Sequence, residues 1–362
     1  MTILTIIGAR PQFVKAAAVS REVAKHPEIK EIIVHTGQHF DANMSKIFFD
    51  QMQIPKPDYN LEINSLSHGA MTGRMIEKIE EVLLKEKPDW VLVYGDTNST
   101  IAGSLAAKKL HIKVAHVEAG LRSFNRKMPE EINRILTDKI SDLLLCPTDT
   151  AVKNLEVEGV GKNSLAKIVK CGDVMQDAAM FYADLVQKPD FELSSEFVLA
   201  TIHRAENTDD PIRLKSIFGS LSKISQEIPI ILPLHPRTKK IIADSQLTTQ
   251  NSQLIIIDPV GYLEMIYLLK NCKLVMTDSG GLQKEAFFFH KPCVTLRDET
   301  EWVELVENNF NKIAGSDFTK ILNGFNEMKN RDLDYNVNLY GNGTAAEKII
   351  QELELFEVLS YK

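Results

Sequence analysis

The stretch Val275-Met276-Thr277-Asp278-Ser279-Gly280-Gly281-Leu282-Gln283-Lys284-Glu285-Ala286 decides how this chain folds. Leu274 to Met276 is a short apolar run that reads as a buried parallel strand. It stops at a small, polar, glycine-bearing turn, and a helical pattern resumes at Leu282. Ser279, Gly280 and Gly281 then stand at a helix N-terminus, whose first amides have no intrahelical acceptor. The aligned peptide dipoles add about half a positive charge there, so the position suits a phosphate. Two glycines let an anion approach the backbone with no Cβ in the way. Glu285, one helical turn after Gly281, is placed to accept hydrogen bonds from a sugar hydroxyl. A tight strand-to-helix turn with glycines for geometry alone is the plainer alternative, and this stretch by itself leaves both open.

The same strand-then-helix unit recurs along the chain, as expected of a parallel sheet covered on both faces. In the first half the strands read near 2–7, 31–36, 90–95, 113–117, 143–146 and 167–171. A helix over 70–86 carries Met71, Met75, Ile79 and Val82 on one face. A second series reads near 197–202, 229–234, 254–257, 272–277 and 292–296. A helical stretch at 174–187 and the polar joint Lys188-Pro189-Asp190 separate the two series. The expected architecture is α/β: two Rossmann-like doubly wound domains, 1–187 and 188–343, with a cleft between them. Ligands in such sheets bind beyond the carboxyl ends of the strands.

Bulk properties agree. At 362 residues the chain exceeds one typical domain, and two is the natural prior. It is 44% hydrophobic and 25% charged, the composition of a soluble globular protein. With 42 basic against 49 acidic residues the net charge is −7, so no basic surface for nucleic acid is advertised. No apolar run approaches the ~20 residues of a membrane span, and the N-terminus enters a strand directly, without the pattern of a signal peptide. Cys146, Cys171, Cys272 and Cys293 are scattered, with no metal-ligand spacing. A cytoplasmic, reduced, soluble protein with no metal, no nucleic acid partner and no membrane partner is the reading.

The distinctive polar residues cluster at the expected strand ends. After the first strand comes Gly8-Ala9-Arg10-Pro11-Gln12-Phe13-Val14-Lys15, where Arg10 and Lys15 bracket a turn into a helix; they are either a solvated helix start or ligand contacts. The three-glycine dinucleotide fingerprint is missing here, which argues against a nicotinamide cofactor. Asp96, in Tyr94-Gly95-Asp96-Thr97-Asn98-Ser99, is either a cap of the following helix or a functional acid. Glu118 directly follows an apolar strand and precedes Ala119-Gly120. Glu130 and Glu131 follow Pro129 in a helical first turn, where the dipole already favours acids. Asp96, Glu118 and Glu130 thus place three acids on neighbouring strand ends. Clustered carboxylates repel, which separates their proton affinities and can supply both an acid and a base. The second series answers with His203-Arg204 after its first strand and His235-Pro236-Arg237 after its second. Arginines and helix N-termini together would neutralise a diphosphate.

Taken in order, these motifs resemble the non-hydrolysing UDP-N-acetylglucosamine 2-epimerase family. The resemblance runs from Gly8-Ala9-Arg10-Pro11 through Gly95-Asp96-Thr97, His116-Val117-Glu118-Ala119-Gly120-Leu121-Arg122, Pro129-Glu130-Glu131-Ile132-Asn133-Arg134, His203-Arg204 and Thr277-Asp278-Ser279-Gly280-Gly281 to Tyr340-Gly341-Asn342-Gly343. It implies a fold like that of B-type glycosyltransferases, with the C-terminal helix, 344–362, packing back on the first domain. It implies a UDP-sugar substrate in a second domain that binds UDP, no cofactor and a homodimer. By position, Asp96, Glu118 and Glu130 match the family's catalytic carboxylates and His203 a residue of nucleotide binding and catalysis. Arg10, His235, Ser279, Gly280, Gly281 and Glu285 match nucleotide contacts, and Lys15 is expected to be another.

The implied chemistry suits that inventory. Inverting C2 removes a hydrogen that no neighbouring carbonyl acidifies. Elimination of UDP from C1 as a carboxylate takes the C2 proton gives a glycal, and re-addition delivers a proton to the opposite face. Two departures from the family pattern stand out. Thr300-Glu301-Trp302-Val303-Glu304 carries Trp302 where an arginine would face the nucleotide, and Met265, with Tyr262 nearby, replaces an aromatic near the uracil. The version Arg297-Asp298-Glu299-Thr300-Glu301-Trp302 resembles the branch that acts on UDP-2,3-diacetamido-2,3-dideoxy-glucuronate in surface polysaccharide synthesis. Asp41, in Gln38-His39-Phe40-Asp41, replaces a glutamine found in members activated by a second UDP-sugar.

Overall fold

Parallel strands cannot be joined by a tight turn, so each needs a crossover, here helical, and both faces of the sheet become covered. The computed structural model describes residues 1–38, 55–161, 166–234, 238–239, 241–242 and 253–360. They divide into two units, Met1–Met180 with Asn338–Lys362, and Phe181–Val337.

The first unit contains β1 (Thr2–Ile7), α1 (Arg10–Val23), β2 (Lys30–His35), β3 (Tyr59–Asn60), α2 (His68–Glu86), β4 (Trp90–Tyr94), α3 (Asn98–Lys109), β5 (Lys113–Val117), α4 (Pro129–Ile140), β6 (Leu143–Cys146), α5 (Asp149–Val157) and β7 (Lys167–Lys170). A helix at the boundary, α6, covers Val174–Tyr182. The strands form one sheet in the order β3-β2-β1-β4-β5-β6-β7, with every pairing parallel. Because side chains alternate across a strand, Leu4, Ile6, Val91 and Val93 share one face. They pack there on Met75, Ile79 and Val82 of α2 and on Ala102 and Ala106 of α3. Each large apolar side chain so buried contributes about 1.5–3 kcal/mol.

The second unit contains β8 (Val198–Thr201), α7 (Ala205–Thr208), α8 (Pro211–Ile224), β9 (Ile230–Pro233), β10 (Leu254–Ile257), α9 (Tyr262–Asn271), β11 (Leu274–Thr277), α10 (Gly280–Phe288), β12 (Cys293–Thr295), α11 (Val303–Glu307), β13 (Asn311–Ile313) and α12 (Phe318–Met328). Its sheet runs β10-β9-β8-β11-β12-β13, again all parallel. Val198, Ala200, Leu274 and Met276 face one helical layer, while Leu199, Val275 and Cys293 face the other, with Leu268, Leu282 and Ala286. In each sheet the strand order reverses between the first strand and a later one, β1 beside β4 and β8 beside β11. These are the points where a doubly wound sheet opens a crevice for ligands.

The last helix, α13 (Ala345–Ser360), returns to the first unit. The ring of Phe356 meets the edge of Trp90 at 5.1 Å, and Glu357 and Glu352 pair with Lys113 and Lys167 at 2.6 and 2.5 Å. Those three partners are the first residues of β4, β5 and β7, so α13 lies along the amino-terminal edge of the sheet. Tyr340 to Gly343 bring the chain there. The Tyr340 carbonyl accepts from Asp173 N at 2.8 Å, and Gly172, at φ +96°, leaves room for that carbonyl, which a Cβ would approach to 2.8 Å.

Most expected elements are present, and the differences have local causes. The helix expected over 174–187 ends at Tyr182. The strand expected from 272 starts at Leu274, because Cys272 closes the preceding helix by bonding back to Leu268. Two strands absent from the sequence reading, β3 and β13, are two and three residues long. Neither is long enough to show a period.

Asp177 of α6 accepts the first amides of α13, Ala345 N at 3.2 Å and Ala346 N at 2.7 Å. Both donors lie in the helix's opening turn, where no intrahelical acceptor exists. Asp177→Ala is expected to cost about 0.5–2 kcal/mol, the usual range for a lost helix cap. Urea unfolding followed by circular dichroism reads this as a lower midpoint; an unchanged midpoint would mean that water replaces the carboxylate without loss.

Candidate active site

In the first unit the carboxyl ends of β1, β4 and β5 carry the expected polar residues. The turn after β1 is tied down by Gln12, whose Oε1 accepts from Gly8 N and Ala9 N at 2.8 and 3.0 Å. Its Nε2 donates to the Tyr94 carbonyl at 2.9 Å. Gly8 is therefore stitched to the end of β4, beside Asp96. Helix α1 begins at Arg10, of which only the backbone is described, and His235 lies outside the described residues.

Asp96 does not cap the helix that follows it. Thr97 does, accepting from Thr100 N at 3.3 Å. The Asp96 carboxylate instead pairs with Arg134 of α4, and Asn133 donates to the Asp96 carbonyl at 2.9 Å. Arg134 also lies 3.2 Å from Glu131, which is buried and accepts from Ser123 N and Phe124 N at 3.0 and 2.9 Å. Glu131 thus shapes the loop ahead of α4. Glu130, its neighbour, is exposed and makes no hydrogen bond or ion pair among the described residues.

Glu118 sits at φ +71°, a left-handed conformation uncommon for a residue with a Cβ. Such an outlier persists only where its surroundings enforce it. Here Glu118 N and Ala119 N both donate to the Leu145 carbonyl, at 3.0 and 3.2 Å. The Glu118 carboxylate pairs with Lys15, with both side chains largely buried. A Cβ on Gly95 would stand 3.2 Å from each of the two charged atoms, so this ion pair lies against the turn that presents Asp96. The structure therefore brings Asp96, Glu118 and Lys15 together, with Glu130 on the next helix.

Beneath them lies a buried network. His116, in the middle of β5, has Nε2 2.7 Å from the Gly95 carbonyl and Nδ1 2.7 Å from Asp138 Oδ1. Asp138 Oδ2 accepts from Gly120 N at 3.2 Å and from Arg122 at 2.7 Å, and Arg122 forks onto Glu158 at 2.7 and 3.0 Å. Burial works against the charge on Asp138, yet the hydrogen bond and charge of His116, and then those of Arg122, hold its carboxyl below the usual carboxylate range.

In the second unit the crevice residues centre on Asp278. Fully buried after β11, it accepts from His203 N and Arg204 N at 3.1 Å each, and from Asn207 Nδ2 at 3.1 Å. The His203 ring, 57% exposed, lies with Nδ1 3.3 Å from the same carboxylate. Ser279 caps α10, so Gly280 and Gly281 open that helix as the sequence implied. A Cβ on Gly280 would stand 3.5 Å from Trp302 Nε1, 3.7 Å from Glu301 Oε2 and 3.9 Å from Arg204 Nη2. Trp302 thus flanks the glycine turn, and the Arg204 guanidinium brings a cation to the same spot. The Trp302 ring also stacks under the Lys284 ammonium, 4.0 Å from its centroid. Glu285, buried in α10, accepts from the Tyr262 hydroxyl at 2.8 Å.

The family model described as UDP-N-acetylglucosamine 2-epimerase matches residues 21–354. The chain belongs to that family. Among family relatives, the UDP-2,3-diacetamido-2,3-dideoxy-D-glucuronate 2-epimerase of Pseudomonas aeruginosa is 57% identical over 98% of this chain and 99% of its own. A UDP-N-acetylglucosamine 2-epimerase homolog of Methanococcus maripaludis is 52% identical over the same shares. This epimerase-family chain is also similar in structure to the UDP-GlcNAc 2-epimerase of Methanocaldococcus jannaschii, solved in complex with UDP-GlcNAc and UDP. That similarity has a TM-score of 0.89 at 44% identity, over 98% of this chain and all of the other.

Several residues of this site went unassigned in the sequence: Gln12, His116, Arg134, Asp138 and Asp278. His116 had a signal, a polar residue inside an apolar strand.

Because the folded Asp138 binds its proton less readily than an unfolded aspartate, its contribution to stability is present above the unfolded value of about 3.9. It is lost as pH falls through the lower folded value. Asp138→Asn should therefore be less stable than the parent at neutral pH, with the gap closing below about pH 4. Urea midpoints of both proteins across a pH series measure this, and a gap of constant size would contradict it.

Proposed function

We propose that this chain is a non-hydrolysing 2-epimerase of a UDP-N-acetylhexosamine. The observation that carries the reading is the set of three carboxylates at one edge of the first unit's sheet, each in different surroundings. Asp96 lies on Arg134, Glu118 lies on Lys15 over Gly95, and Glu130 faces water. A carboxylate takes the C2 proton, the electron pair forms the C1–C2 double bond of a glycal, and the C1–O bond breaks to release UDP. The oxygen of UDP then adds back to C1 while a second acid protonates C2 from the opposite face. Each positioned acid or base is worth roughly 10²–10⁴-fold in rate.

The first unit, with α13, is assigned the sugar chemistry, and the second the nucleotide. The first-turn amides of α10 and the guanidinium of Arg204 suit a diphosphate whose charge grows as C1–O breaks. His203, beside them, is assigned to the same leaving group. Arg10, Lys15, His235, Ser279, Gly280, Gly281 and Glu285 keep the nucleotide-contact roles that family position gives them. Among sugars, the 2,3-diacetamido uronate is favoured by Trp302 and by the P. aeruginosa relative, with UDP-N-acetylglucosamine as the second substrate to try. A homodimer in the cytoplasm, supplying surface polysaccharide synthesis, completes the proposal and is supported by family likeness.

Proton NMR in D₂O with each UDP-sugar tests the reaction. Deuterium at C2 and a manno epimer still attached to UDP are expected, whereas free sugar plus UDP would mark a hydrolysing enzyme. Asp96→Asn, Glu118→Gln and Glu130→Gln should each keep UDP binding and lose about 10²–10⁴-fold in turnover. Near-normal turnover in all three would sink the mechanism.

A further inference from the structure

Asp96 and Glu118 ride on turns whose backbone would not hold its shape unaided. Gly95, Glu118 and Gly120 have φ of +61°, +71° and +81°. The Gly95 carbonyl and the Gly120 amide, on either side of the two acids, meet no backbone partner among the described residues. Both are served by the His116–Asp138 pair, through bonds of 2.7 Å to Gly95 O and 3.2 Å from Gly120 N, with 2.7 Å between the two side chains. Carbonyl and carboxylate oxygens only accept, so each nitrogen of the His116 ring faces an acceptor. Beyond His116 the charges alternate along the network: Asp138, Arg122, Glu158.

Stability alone does not account for this arrangement. A buried ion pair is often no better than well-packed apolar side chains of the same volume, and the residues flanking His116, Ala115 and Val117, are apolar and buried. What the pair supplies is direction. It fixes one end of the Asp96 turn against the far end of the Glu118 turn. We infer that His116 and Asp138 are positioning residues for the reaction, clamping Gly95 to Gly120 so that Asp96 and Glu118 hold a set separation. This rests on the roles proposed above for those two acids.

Four variants separate positioning from packing: His116→Gln, Asp138→Asn, the double variant, and Leu144→Ala. Leu144 of β6 lies opposite His116 in register and is fully buried, so its truncation loosens the packing beside His116 while removing none of the clamp's hydrogen bonds. C2 deuterium exchange gives turnover, calorimetry gives UDP affinity, and all are compared at a temperature where each protein is folded. His116→Gln and Asp138→Asn are expected to lose about 10²-fold in turnover, the cost of a misplacement near 1 Å, with UDP affinity unchanged. The double variant should be no worse than the poorer single, because both break one clamp. Leu144→Ala should lose stability and keep turnover. In the parent, the Gly120 amide should be protected from hydrogen exchange, and less so in Asp138→Asn. Turnover in the clamp variants that tracks the folded fraction, as in Leu144→Ala, or an unprotected Gly120 amide in the parent would overturn the inference. If His116→Gln does not fold, Asp138→Asn and the Gly120 amide exchange still decide it. If the parent exchanges no deuterium with either sugar, the roles of Asp96 and Glu118 fail first, and a protected Gly120 amide would show that the clamp stands without that duty.

Discussion

Parallel pairing forces every strand of a sheet to end at the same edge, and the rest of this structure follows from that constraint. It gathers Gly8, Asp96 and Glu118 from positions far apart in sequence, and in the second unit Arg204 beside Gly280. It also creates a difficulty, because each chain leaving that edge carries backbone groups no longer matched by a neighbouring strand. Ligands could satisfy some of them. The others are met by side chains drawn from adjacent crossovers, which is why so many buried polar residues lie just under the crevice.

The two units meet this difficulty in the same way. In each, a fully buried aspartate beneath the crevice accepts amides from a turn after a neighbouring strand: Asp138 takes Gly120 N, and Asp278 takes His203 N and Arg204 N. Each is also approached by a histidine ring, His116 at 2.7 Å and His203 at 3.3 Å. Their settings differ in one respect that matters. The His116 ring is sealed in the sheet, while His203 lies at the surface with its ring mostly open to solvent. One pair can only hold; the other can also meet what arrives.

The alternation of apolar runs and amphipathic helices was legible because period and length were both long enough to count. Strands of two and three residues, β3 and β13, carry no period and stayed hidden. The acids at strand ends were legible too, since an acidic residue after an apolar run is conspicuous. Their supports were not. Arg134 meets Asp96 across 38 positions and Asp138 meets His116 across 22, and no spacing rule links such pairs before the crossovers are folded. Asp96 shows the converse. Its neighbour Thr97 took the helix cap, which left the acid to Arg134.

The first unit is discontinuous in sequence, with α13 arriving only after the second unit has been made. On a growing chain the second unit, one uninterrupted segment, can close its sheet as soon as its own residues emerge. The first unit must wait with Trp90 and the starts of β5 and β7 uncovered, because their cover is the final helix. The amino-terminal edge of its sheet thus stays in water until α13 has emerged. Until α13 is made, that edge is open apolar surface of the kind that puts a folding intermediate at risk of aggregation.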